Sequence, residues 1–175
     1  MVTELKNYFD RIEDLRSQIS GLITELPEQG LNWRPIEGMD DHATNSLAVL
    51  ASHIAGAEHY WIAEVIAGWL ETRDREAEFA TIATHASEIV RSLEKTARET
   101  REVFSSLRQT DLKSTRQVKG HTVPVRWCIL HVIDHTALHL GHMQLTYQLW
   151  SGGRSILSPL WFERLPPNQD PQGKI

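Results

Sequence analysis

Helical periodicity is the feature that most narrowly limits what this chain can fold into. In four segments the apolar residues recur at alternating spacings of three and four, which places them on one side of an α-helix. We predict these helices at about residues 3–26, 47–67, 81–108 and 124–150. Four long amphipathic helices of similar length bury their apolar sides most simply in a four-helix bundle, so the predicted fold class is all-α.

The segments between the predicted helices contain residues that end or cap helices. Pro27 and Gly30 end the first helix, and the SGG sequence at 151–153 ends the fourth. Asn45 or Ser46 can act as the N-cap of the second helix. The linkers are longer than a simple up-down bundle needs, so we expect at least one crossover connection.

Two segments have no helical period. Residues 109–123 could form either a short hairpin or an extended loop, and Pro124 suits the first turn of the helix that follows. The stretch from 154 to 175 contains four prolines. We therefore predict one bundle domain over residues 1–153 and a non-helical C-terminal tail over 154–175.

Composition and charge argue against several classes of protein. The net charge is −5 with no basic cluster, so we expect no nucleic-acid partner. Cys128 is the sole cysteine, which rules out an intramolecular disulfide and fits a reducing compartment. The N-terminus lacks the pattern of a signal peptide, and no apolar stretch is long enough to span a membrane. We therefore predict a cytoplasmic protein without a membrane partner.

Histidines are concentrated on the fourth predicted helix. Four of them fall within about 80° of one another at 100° per residue: His131, His135, His139 and His142. We interpret this side as facing the bundle because three leucines share it: Leu138, Leu145 and Leu149. Burying so many unpaired imidazoles would carry a large desolvation cost, which coordination to a metal removes.

The spacing of His135 and His139 places two imidazoles one turn apart, as two ligands of one metal require. A third ligand must come from another helix, and His53 on the second helix shares a side with Leu50 and Ala57. A lone core histidine is more often structural, but this grouping favours coordination. We predict one divalent metal held by His53, His135 and His139, with His131 and His142 close by as possible outer-sphere residues.

The other candidate residues have weaker signals. We expect His59 at the solvent or at a boundary, and Glu64 at the boundary of the core rather than in the metal site. Asp134 is expected on the surface, and Cys128 is most simply a small buried residue. The large aromatic residues are interpreted as core or pocket wall: Trp33, Tyr60, Trp61 and Trp127.

Three segments, LNWRP, SHIAGAEHYW and HTALHLGHMQ, occur in an order and spacing that resembles the DinB-like (DinB/YfiT) family over roughly residues 1–150. The family's metal triad matches His53, His135 and His139. The resemblance implies a bundle with altered helix order, a nickel or zinc ion, and frequent homodimers. Many relatives read H-R-G-Q after the last ligand, whereas this chain reads HLGH from His139, which looks more like the branch related to mycothiol-dependent transferases. That branch often has an acidic residue where this chain has His135.

Three neutral histidines leave a coordination position open, which is typical of a catalytic metal rather than a structural one. Relatives are thought to activate a low-molecular-weight thiol for transfer to an electrophile. The leading interpretation is therefore a metal-dependent thiol S-transferase, or a related detoxifying enzyme, that acts on a small molecule. A metal-dependent hydrolase is one alternative and would need an acid or base near the ion. A non-catalytic, stress-related metal or small-molecule binding protein is another, which four protein ligands and no pocket would favour.

Overall fold

The computed structural model describes residues 3–36 and 44–154, and helices form most of this part of the chain, as predicted. The helices in chain order are α1 (Thr3–Ile23), α2 (Glu28–Asn32), α3 (Leu47–His59), α4 (Arg75–Phe79), α5 (Ala86–Ser106) and α6 (Val125–Trp150). A π-helix over Tyr60–Ile66 continues α3 without a break, and a 3₁₀ helix spans Gln109–Lys113. Strands β1 (Thr115–Val118) and β2 (His121–Pro124) form an antiparallel hairpin.

The four long helices form a bundle in which consecutive helices are not always neighbours. Helix α1 packs against α5 and α6, and α3 also packs against α5 and α6. The long helices α1 and α3 therefore lie diagonally across the bundle, as do α5 and α6. The connection from α1 to α3 and the connection from α5 to α6 therefore each join diagonally opposite helices, which confirms the expected crossover connection.

The apolar stripes that predicted α1 and α5 form the core. In α1 the buried apolar residues are Leu5, Ile12, Leu15, Ile19, Leu22 and Ile23. In α5 they include Ile89, Leu93, Ala97, Val103 and Phe104. Complete burial of one such side chain is worth about 1.5–3 kcal/mol, so these stripes hold the helices together.

Some predicted helix ends differ from the structure. Helix α5 begins at Ala86 rather than at Thr81, and Ile82 is exposed instead of joining the apolar stripe. The reason is a tertiary contact, because the Asn32 side chain bonds both the backbone N–H and the C=O of Ala83, at 3.0 and 2.7 Å. These bonds hold the chain before α5 in a non-helical connection. Helix α1 likewise ends at Ile23, three residues before the predicted Leu26.

The buried side of α6 differs from the predicted one. Leu138, Leu145 and Leu149 are all more than half exposed, so the side they share does not face the bundle. The buried side is formed by Val125, Cys128, Ile129, Val132, Thr136, Leu140, Met143 and Thr146. Its centre lies roughly 80° around the helix from the centre of the histidine row. The histidines therefore lie at the edge of the buried side and not in its middle.

Local chemistry explains two of the boundaries that the sequence left open. Ser46, not Asn45, caps α3, with its side chain accepting a hydrogen bond from the Val49 backbone N–H at 3.2 Å. Residues 115–124 form the hairpin rather than an extended loop, and Pro124 ends β2 just before α6 begins. Within the described ranges, no helix is both long and apolar enough to cross a membrane. The predicted tail lies, from residue 155 onward, outside the described residues.

Candidate metal centre

Two helices that are distant in sequence bring three imidazoles together. His53 on α3 and His135 and His139 on α6 each offer a nitrogen, and these nitrogens all lie within 4.8 Å of one another. The Nε2 atoms of His53 and His135 are 3.0 Å apart. The ring centroids of His135 and His139 are 4.4 Å apart, as expected for residues one helical turn apart. The three residues singled out from the sequence therefore form one cluster.

An acidic residue on the short helix α4 contacts the His53 ring nitrogen that is turned away from His135. Glu78 Oε2 lies 2.8 Å from His53 Nδ1, and both side chains are buried. Arg73 in turn donates to both carboxylate oxygens of Glu78, at 2.7 and 2.9 Å. If Nδ1 of His53 donates to this carboxylate, its Nε2 carries the lone pair and faces His135. Carboxylates behind a ligating histidine commonly fix the tautomer in this way.

The contact between α3 and α4 depends on a glycine. A Cβ placed on Gly56 would overlap the Glu78 carboxylate, so only glycine lets Glu78 come this close to α3. The Glu78 pKa is lowered, since hydrogen bonds from Arg73 and His53 outweigh the effect of burial, which alone would raise it. The carboxylate therefore stays ionised behind His53. Sequence reasoning missed Glu78, Arg73 and Gly56, and the only signal was Asp74, whose side chain caps α4.

His135 and His139 are held in the neutral form. Burial, together with the neighbouring histidines, lowers the pKa of His135 to about 3 and that of His139 to about 4. The Nδ1 atom of His139 is buried and has no hydrogen-bond partner among the described residues. Neutral imidazoles with an unpaired nitrogen are the donor set that divalent zinc or nickel prefers. The cluster therefore fits a metal ion, and it is the group of possible ligands found within the described ranges.

His131 and His142 continue the row on either side of the cluster. The His131 ring is stacked on Trp127 at 4.9 Å between centroids and lies 5.7 Å from the His135 ring. The ring of His142 lies 5.4 Å from the His139 ring, but His142 is exposed. The prediction that it faces the bundle is therefore wrong. Neither residue is in the group of three, and their proposed outer-sphere role remains a prediction.

Glu64 is more buried than the sequence indicated. Its carboxylate is 2 % exposed, and Oε1 accepts hydrogen bonds from the backbone N–H groups of Thr72 and Arg73. His59 bridges Glu64 and Glu99 at 3.2 and 2.8 Å, which places it at a boundary, as predicted. Glu64 thus pins the chain that follows the π-helix, including Arg73, and it is not one of the cluster residues.

A cavity of about 720 Å³ lies near the cluster, although none of the three clustered histidines lines it. Its aromatic wall consists of Tyr60, Trp61 and Trp127, whereas Trp33 does not line it. Residues that line the cavity contact one histidine of the cluster, His53, and one neighbour of the cluster, His131. Arg73 lines the cavity and lies 3.4 Å from His53 Nδ1, and Trp61 and Trp127 both contact the His131 ring. The predicted pocket wall is therefore confirmed for three of the four aromatic residues.

Cys128 lies in the core, as predicted. It is fully buried, and burial raises its pKa to about 11. The thiol is therefore protonated at neutral pH and is a poor nucleophile.

The fold and the cluster define a helical-bundle protein with a three-histidine site capable of holding one metal ion. A family model described as mycothiol S-transferase matches residues 7–152, and the chain belongs to this family. A search of curated proteins found no match.

Two solved structures share the fold. One is a DinB-like protein from Bacillus cereus, with a TM-score of 0.70 and 16% identity over 89% of this chain and 97% of that one. The other is a conserved protein from Enterococcus faecalis, with a TM-score of 0.67 and 14% identity over 87% of this chain and 99% of that one. The resemblance to the DinB-like fold seen in the sequence is thereby confirmed.

Proposed function

We propose that this protein is a metal-dependent thiol S-transferase in which His53, His135 and His139 hold one zinc or nickel ion. The observation that carries the proposal is the clustering of three imidazoles near an aromatic cavity. Membership of the mycothiol S-transferase family supports a low-molecular-weight thiol as one substrate, with mycothiol the first candidate.

In this proposal different residues bind the metal, orient the ligating histidine and contact the electrophile. A metal ion with three neutral ligands would lower the pKa of a thiol in its open position, which favours the reactive thiolate. Glu78 and Arg73 fix the orientation of His53, and the burial of His135 and His139 keeps both neutral and able to bind. Tyr60, Trp61 and Trp127 offer an apolar surface for the electrophile. The thiol sulfur forms a bond to an electrophilic carbon, the leaving group on that carbon departs with the electron pair of its bond, and the thiol proton is released to solvent.

The nucleophile comes from solution in this proposal. Cys128 is buried with a raised pKa, so it is a poor candidate for the attacking thiol. The test is conjugate formation by zinc- or nickel-loaded protein with a panel of thiols and electrophiles. Turnover that requires both metal and thiol and disappears in His139→Ala is the expected result.

Two other outcomes of the same experiment would replace the proposal. Metal-dependent hydrolysis without a thiol would favour a hydrolase, for which the buried Glu64 carboxylate at the cavity is the available base. Metal binding without turnover on a broad panel would favour a non-catalytic, stress-related binding protein.

Three further expectations remain predictions about the protein in the cell. These are a cytoplasmic location, assembly as a homodimer and the absence of a nucleic-acid partner. Light scattering coupled to size exclusion would measure the mass of the assembly directly.

A further inference from the structure

Two locally uncommon features line part of the cavity near the histidine cluster: a π-helix and a lysine at positive φ. The π-helix Tyr60–Ile66 supplies Tyr60, Trp61 and Glu64, and the tip of the hairpin supplies Lys119. π-Helices are rare and are often found at functional sites. The presence of a π-helix and of a lysine at positive φ at the same cavity is more easily explained by a ligand that binds there than by folding alone.

The hairpin tip is the more informative of the two. Val118 pairs with His121, so Lys119 and Gly120 form a two-residue connection, with φ values of 48° and 83°. Turns with positive φ at both positions favour Asn-Gly or Asp-Gly, because a side chain such as lysine meets a steric cost there. Asparagine would suit the turn better than lysine, so the fold does not explain why lysine occupies this position.

The charged side chains around the cavity indicate a ligand-binding role for Lys119. Five charged side chains line it: Glu64, Glu71, Arg73, Arg75 and Lys119. Arg73 is paired with Glu78. Glu64 is buried: its Oε1 accepts from backbone N–H groups and contacts His59, and its Oε2 has no partner among the described residues. Within residues 3–36 and 44–154, Lys119, Arg75 and Glu71 have no ion-pair partner. The exposed charges at the cavity are therefore two positive and one negative, with Glu64 buried in its wall.

We infer that Lys119 is a specificity-determining residue that binds the anionic group of a planar, apolar organic acid lying against Tyr60, Trp61 and Trp127. Arg75 is a second cation at the same cavity. The flat ring surfaces suit an aromatic or conjugated body, and Lys119 selects its carboxylate. The role of this acid as the electrophilic substrate rests on the proposed function, whereas its binding to the cavity does not.

Lys119→Asn separates the two explanations for the lysine, because asparagine removes the charge and suits the turn. Calorimetry on the metal-loaded protein would compare three probes of one shape: naphthalene-2-carboxylate, 2-naphthalenemethanol and 2-naphthylmethylamine. We expect wild type to prefer the carboxylate over the alcohol by about 5-fold, as for a partly exposed ion pair. Lys119→Asn should abolish that preference and leave the affinity for the alcohol and the melting temperature at or above the wild-type values.

Lys113→Gln is the matched control, because Lys113 is exposed, lies in the adjacent 3₁₀ helix and does not line the cavity. It should keep the wild-type preference for the carboxylate. The inference is overturned if the preference survives in Lys119→Asn, as it would if the carboxylate bound the metal instead. It is also overturned if wild type binds the amine most tightly, because Glu64 and Glu71 would then dominate. Since no thiol is present, these results are independent of whether the protein transfers thiols.

Discussion

Helix α3 carries two buried polar clusters, five residues apart, and they differ in how fully the protein satisfies them. Around Glu58, the Arg16 guanidinium donates to both carboxylate oxygens, and Thr100 Oγ1 donates to Oε1 at 2.5 Å. All three side chains are buried. Around His53, the nearest partners on α6 are two more imidazoles, and His139 Nδ1 has no partner among the described residues.

The difference separates a structural cluster from a candidate binding site. Buried polar groups are nearly always hydrogen-bonded, so a cluster that satisfies itself has nothing to offer a ligand. The cluster around Glu58 ties α1, α3 and α5 together in this way. The histidine cluster leaves the buried Nδ1 of His139 without a partner among the described residues, so an additional group could satisfy it. Charge differs as well, since the cluster around Glu58 pairs opposite charges, whereas His135 and His139 are neutral.

Removal of Arg16 should have the largest effect on stability. Arg16→Ala leaves the Glu58 carboxylate buried without its counterion, which costs about 3–5 kcal/mol of unfolding free energy. Folded Arg16→Ala should still bind one metal ion per chain. Arg11→Ala removes an exposed ion pair with Asp14 on the same helix and should cost less than about 1 kcal/mol. Urea unfolding measures both, and equal losses would contradict the distinction between the clusters.

Loss of a clustered histidine should have the opposite pattern, with a large effect on metal binding and a small effect on stability. His53→Ala, His135→Ala and His139→Ala should each weaken metal binding by roughly 100-fold or more, since even outer-sphere partners contribute 10- to 100-fold. The metal-free variants should unfold close to wild type. Elemental analysis and metal titration measure the effect, with His85→Ala, an exposed residue outside the cluster, as the control. Full metal content in all three variants would show that the cluster is not the site.

Changes behind His53 should have an intermediate effect. Glu78→Gln and Gly56→Ala should each weaken metal binding by about 10-fold, the first by removing the carboxylate and the second by displacing it. Gly21→Ala is the matched control, because a Cβ at that exposed position meets nothing within 4 Å. It should leave metal affinity unchanged and stabilise α1 slightly. Unchanged affinity in Glu78→Gln would mean that the carboxylate does not support the metal site.

The pH dependence of the metal-free protein should distinguish the clusters further. In the unfolded chain His135 and His139 titrate near ~6.5, whereas in the folded protein their pKa values are about 3 and about 4. The unfolded state therefore binds more protons, and stability falls as the pH decreases from ~6.5 towards 4 and then 3. Thermal unfolding of wild type and His135→Ala/His139→Ala across this range measures the difference. The double variant should show a shallower loss.

The same pKa values alter the expected pH range of metal release. From ordinary histidines one expects metal binding to weaken near ~6.5. Because protons compete only weakly for His135 and His139, release should occur at lower pH. Metal titrations between pH 5 and 7 test this, and release centred at ~6.5 would indicate that these imidazoles titrate normally.

The smallest effect is expected at Cys128. With its pKa raised to about 11 and its side chain in the core, the thiol should not react with iodoacetamide at about pH 8 while the protein is folded. Mass spectrometry before and after unfolding measures the labelling. Rapid labelling of the folded protein would reopen Cys128 as a nucleophile.

The sequence by itself determined the four long helices, the crossover bundle and the histidines of the cluster. The helices and the histidines are encoded locally, because helical periodicity and the four-residue spacing of His135 and His139 appear within a single segment, and the apolar neighbours of His53 indicate its side. The length of the linkers indicated the crossover. The burial of Cys128 could be predicted in the same way.

Only the tertiary structure decided which side of α6 is buried, where α5 begins and what supports His53. The exposed leucines of α6, the bond from Asn32 to Ala83 and the approach of Glu78 over Gly56 all depend on elements far apart in the chain. The π-helix and the hairpin that line the cavity are decided in the same way. The physical reason is that burial and polar contacts depend on how two secondary-structure elements pack together, whereas helical periodicity is a property of one element alone.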